Sequence, residues 1–152
     1  MVKQEFLDQM LEQRLNVLKA AEGVSDDEMR QPMGEGKWSI KDTLGHLAAW
    51  EGEIVKAFEQ KARGERPTIG DITDFEAFNQ AEAKKRKDKS VEEIRAEFNA
   101  TRERLLAAVN ALPDEGDVWS PERSTAKMLD VVIQHDKHHC KSIRDFRGMG
   151  EV

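Results

Sequence analysis

Three of the chain's four histidines stand in one short stretch near its end, Gln134–Ser142, reading QHDKHHCKS. They are His135, His138 and His139; the fourth, His46, lies far upstream. Imidazole is the commonest metal ligand and the side chain whose charge changes near neutral pH. His135 and His139 are four residues apart, so on a helix both rings leave the same face one turn apart. At about 100° per residue, Met128, Val132, His135, His139 and Phe146 fall within a sector of roughly 60°, flanked by Val131 and Ile143. Two polar rings on an apolar stripe need hydrogen bonds or a metal, because an unsatisfied buried polar group is costly. The residues between them, Asp136, Lys137 and His138, rule out an HExxH zinc motif. The chemistry to expect is a divalent metal held by His46, His135 and His139. The competing reading is three ordinary histidines bonded to carbonyls or to Glu51 and Asp42.

Neighbouring residues add to this picture. His46 sits in WSIKDTLGHLAAWE, displaced by roughly 120° from the centre of that segment's apolar stripe, toward Thr43 and Trp50. A helix that touches two neighbours can still turn such a flank inward. Glu51 falls between Leu47 and Ile54, near the middle of the stripe. A buried carboxylate beside a cation can orient a histidine, take a coordination position or act as general base, so Glu51 is the catalytic candidate. Its alternative role is pairing with a lysine or arginine. Asp42 reads as the capping partner of Ser39, and Asp136 as half of an interhelical salt bridge. His138 lies about 60° off the His135 axis and reads as a substitute ligand, a group supporting the ligands or an entrance residue, outside the favoured set; Cys140 lies about 140° off and points away from it. Trp38, Trp50 and Trp119 line a pocket or serve in packing.

Helices are the elements that must bring these residues together. Phe6, Leu7, Met10, Leu11, Val17, Leu18 and Ala21 recur at helical spacing over residues 3–22, with Gly23 as the stop. Residues 23–37 read as a loop. A second helix starts at Trp38-Ser39-Ile40, with Ser39 and Asp42 resembling a capping box, and runs to about Arg63 before Gly64 and Pro67. Residues 68–89 contain one short helix opening near Asp74. The basic run Lys84–Lys89 reads as a solvated helix end. Ser90 with Glu93 is a second capping box, opening a long helix that Pro113 ends. The loop DEGDVWSPERS offers Trp119 as an anchor. The last helix, capped by Ser124 or Thr125, runs to Arg147. This pattern predicts an all-α four-helix bundle in one domain, residues 1–152, with a short extra helix in the crossover between the second and third long helices.

Composition narrows the function classes. Lys and Arg number 24 against 30 Asp and Glu, a net charge of −6, which gives no general attraction to nucleic acid or anionic membrane. The single cysteine excludes an internal disulfide and fits a reducing compartment. The amphipathic, charged start MVKQEFLDQMLEQ does not read as a signal peptide. No apolar run approaches the ~20 residues of a membrane span. The expectation is a cytoplasmic protein.

The segments KWSIKDTLGHLAAWE, DFEAFNQAEA…SVEEIRAEFNATRERLLAAVNALPDE and QHDKHHCKSI resemble the DinB/YfiT-like superfamily of metalloenzymes over nearly the whole chain. The resemblance implies a four-helix bundle and a divalent metal, zinc or nickel, on three histidines that match His46, His135 and His139. It also implies homodimers and a small-molecule substrate. Some relatives are transferases or isomerases that use low-molecular-weight thiols such as mycothiol or bacillithiol; the central FN-containing segment is also similar to the ClbS/DfsB-type branch of hydrolytic self-protection proteins. The function expected is therefore a metal-dependent hydrolase or thiol transferase. The alternative is a metal-independent small-molecule binding or self-protection protein of the same fold.

Overall fold

The computed structural model describes residues 1–150. Six α-helices carry the described residues: α1 Lys3–Ala20, α2 Asp26–Arg30, α3 Ile40–Ala62, α4 Phe75–Arg86, α5 Val91–Asn110 and α6 Ser124–Phe146. Single 3-10 turns occur at Ile69–Asp71 and Asp117–Trp119. The described residues contain no strand, and no helix among them is long and apolar enough to cross a membrane. The fold is all-helical, and α4 is the short helix expected between the second and third long ones.

Local signals account for most boundaries. Gly23 follows α1 and Gly64 follows α3, with φ of 72° and 74°; this left-handed backbone is strained for any residue with a Cβ. Asp74 caps α4 by accepting from the Ala77 amide at 3.0 Å. At the start of α5 the reciprocal box forms: the Glu93 amide donates to Ser90 Oγ at 3.0 Å, and the Ser90 amide to Glu93 Oε1 at 3.2 Å. Two expectations need correction. Residues 23–37 are not all loop, because Ser25 accepts from the Glu28 amide at 3.2 Å and caps the five-residue α2. Neither Ser124 nor Thr125 caps α6; Arg123 holds that position and makes no side-chain cap bond.

The chain forms two compact units, residues 1–40 with 109 onward, and Lys41–Ala108. In the first, α1 packs on α6. Phe6, Met10 and Val17 of α1 are buried, as are Met29 of α2 and Leu129, Ile133 and Ile143 of α6. Trp119 anchors the loop before α6, as its place in the sequence suggested. It is 2% exposed, its indole N–H donates to the Pro113 carbonyl at 2.8 Å, and its ring centroid lies 5.5 Å from that of Phe6. A buried indole that finds its acceptor keeps the benefit of its area without an orphaned donor.

In the second unit, Leu44, Leu47, Ile54 and Phe58 of α3 are buried, together with Val91, Ile94, Phe98 and Leu105 of α5. Helix α4 is held mainly by its rim. The Trp50 indole N–H donates to Asn79 Oδ1 at 2.7 Å, and its ring meets Phe78 at 4.4 Å and Phe75 at 5.4 Å. Arg86 bridges Glu82 at 2.9 Å and Glu97 of α5 at 2.7 Å. Gly45 leaves room for Arg86: a Cβ there would lie 3.1 Å from Arg86 Cδ, and the arginine would have to shift by a few tenths of an ångström.

Candidate metal centre

Helix α6 carries the histidine stretch, and its buried side is not the one the apolar pattern suggested. Thr125, Ala126, Leu129, Val132, Ile133, Asp136, Cys140 and Ile143 are buried, while Val131 is 54% and Phe146 37% exposed. The axis of burial lies roughly 70–110° around the helix from His139 and His135. Asp136 lies on this face: it is 2% exposed and meets Arg14 Nε of α1 at 3.3 Å, the interhelical salt bridge its place in the sequence suggested. His135 and His139 therefore stand half-buried on the shoulder of the packed face. This suits a ligand better than a fully buried position, since a metal site that does chemistry must keep an open side.

The two rings meet edge to face, centroids 4.7 Å apart at 70°. His138 also packs on His139, 4.9 Å away at 76°, and is itself exposed. Burial pushes the His135 pKa below its usual value; the His138 charge acts in the same direction and Asp136 opposes them. A ring that stays neutral at pH 7 is one a metal can take without first displacing a proton.

His46 is half-buried on α3, bordering a crevice of about 10 Å³ formed with Lys41, Asp42, Gly45, Ala83, Arg86 and Ile94. His46, His135 and His139 form a group that could hold a metal ion: one ligand nitrogen from each lies within 4.8 Å of the others. Three imidazoles suit zinc, nickel, cobalt or iron, with positions left for water or substrate.

Glu51 has a different surrounding from the one a general base needs. It is 4% exposed, and both of its oxygens accept from Arg102 of α5, Oε2 from Nε at 3.0 Å and Oε1 from Nη2 at 2.8 Å. Pairing with an arginine was the alternative the sequence allowed, and these contacts lend the general-base role no support. Arg102 and Arg14 are the two buried cations that the pattern reading missed. Each stands where a core residue belongs, Arg14 between Met10 and Val17 and Arg102 between Phe98 and Leu105, at i+4 and i−3. A cation at such a position announces a buried carboxylate partner. Cys140 is buried, and burial raises its thiol pKa, so it is a poor nucleophile. Trp50 and Trp119 pack as described above. The basic run is the end of α4, whose last turn carries Lys84, Lys85 and Arg86.

A family model decides what the chain is related to: the DinB superfamily model matches residues 9–143. The chain belongs to the DinB superfamily. A solved structure of similar fold is that of an uncharacterised protein from Escherichia coli UTI89. Its TM-score is 0.81 at 15% identity, over 99% of this chain and 96% of that one. At such identity the likeness to this structure speaks of fold alone. No curated protein matches the chain. DinB membership and the three-histidine group are together compatible with a metal-binding helical protein.

Proposed function

We propose that the protein is a divalent-metal-dependent enzyme of the DinB type, a hydrolase or a low-molecular-weight-thiol transferase. In this reading α1, α3, α5 and α6 form the four-helix bundle, and His46, His135 and His139 hold zinc or nickel. The observation that carries it is the approach of three ring nitrogens, from residues 46, 135 and 139, to within 4.8 Å of one another. A divalent ion there would supply a Lewis acid that lowers the pKa of a water or thiol ligand toward neutrality. The chain's own part is to present three imidazole rings. His135 is kept neutral by burial, and the His138 ring against His139 limits how that ring can turn. Cys140 is buried and its thiol pKa raised, so the thiol of a transferase reaction comes from a second substrate.

The protein works in the cytoplasm and, in this proposal, as a homodimer. Leu11, Leu15 and Leu18 support the dimer: they are 59%, 46% and 44% exposed and lie at i, i+4 and i+7 on the outer side of α1.

Turnover tests the enzyme reading. Metal-loaded protein, chelator-treated protein and His139→Ala are compared on esters, amides and electrophile–thiol pairs. The proposal expects turnover only with metal and intact histidines. Equal rates in all three samples, or no turnover with any class, would remove it.

A further inference from the structure

A second site lies in the first unit, along the groove between α1 and α6. It encloses about 560 Å³, within the range of small-molecule sites of ~300–1,000 Å³. We infer that this groove binds a small peptide-like carboxylate, with Lys137 holding the carboxylate and the amides of Gln13, Asn16 and Gln134 reading the peptide units.

The charge of the walls selects the ligand. Lys137, Lys141 and Arg144 project from α6 at i, i+4 and i+7, opposed by Glu12 and Asp145, so the groove is locally positive in a chain of net charge −6. Two of the cations are engaged: Lys141 Nζ meets Asp145 at 2.7 Å, and Arg144 Nε donates to the Gly150 carbonyl at 2.6 Å. Lys137 makes no ion pair or hydrogen bond among the described residues and is the cation free to take an anion. One available ammonium, with the Glu12 carboxylate on the same lining, balances a monoanion and leaves a phosphate dianion under-neutralised.

The amides supply the second half of the recognition. Gln13 and Asn16 are half-buried on the α1 wall, Gln134 faces them from α6, and none has a partner within the described chain. A carboxamide both donates and accepts, as a peptide unit does, so three of them along a groove match a short run of peptide bonds. Glu12 accepts from the ligand's N–H groups. Cys140, on the same lining, is too buried to react and serves only as wall. His138, outside the proposed ligand set, also lines the groove.

The groove needs no metal to bind its ligand. N-acetylglutaminylglycine and its C-terminal amide are titrated into the full-length protein, as purified and with chelator, while side-chain amide resonances are followed by NMR. The expected result is that the acid shifts the Gln13, Asn16 and Gln134 signals in both samples. The C-terminal amide and the Lys137→Gln variant should bind at least tenfold more weakly, and Lys127→Gln, elsewhere on α6, should bind as the parent does. Equal binding of acid and amide, unchanged binding by Lys137→Gln, or the absence of shifts at these three amides would overturn it. Shifts that vanish with chelator would assign the ligand to a metal instead, and would overturn the groove while leaving the metal proposal standing.

Discussion

His135 is the residue on which protonation, metal binding and stability meet. Burial lowers its pKa below the usual 6.5, and the unfolded chain restores that value. Between the two values the unfolded state binds the extra proton, so stability rises with pH through this window and falls on acidification below about 6.5. Chelator-treated protein should therefore unfold at lower urea concentration at pH 5.5 than at pH 7.5. His135→Gln, which cannot titrate, should show a smaller difference. An identical pH dependence in parent and variant would mean that another group drives it. Metal affinity should fall across the same window, because a protonated ring has no lone pair to give.

At the scale of the elements, each compact unit is pinned by one buried arginine–carboxylate pair joining two helices. These are Arg14–Asp136 across α1 and α6, and Arg102–Glu51 across α5 and α3. Breaking one partner strands a charge away from water and costs about 3–5 kcal/mol, whereas replacing both by apolar residues of similar size is often neutral. Arg102→Ala should lose stability on that order, and Arg102→Met with Glu51→Leu should recover most of it, read by urea denaturation. A single variant as stable as the parent would show that the pair holds nothing. These pairs also explain what could be read in advance. The starts of α4 and α5 and the stops of α1 and α3 were legible, because Asp74, Ser90–Glu93, Gly23 and Gly64 act within a turn of chain. The pairs join residues 122 and 51 positions apart, and nothing local names the partner. The buried face of α6 runs through Leu129, Ile133, Asp136, Cys140 and Ile143, which leaves His135 and His139 on its shoulder. Helix α2 went unread because Met29 alone is apolar in DDEMR, and one residue carries no period.

For the whole molecule, membership of the DinB superfamily accounts for the fold, and the uncovered leucines of α1 bear on assembly. Leu15→Lys places a charge in the middle of the exposed strip and should convert a dimer to a monomer in light scattering, with helicity unchanged. A parent protein that is already monomeric at micromolar concentration would dispose of the dimer. The central claim is the metal shared by His46, His135 and His139, and elemental analysis of untagged protein tests it most directly. The account predicts near one equivalent of divalent metal per chain, lost in His135→Ala and His46→Ala and retained in His138→Ala, with all variants folded. Metal-free parent protein that takes up none on reloading, or variants that keep full occupancy, would contradict it.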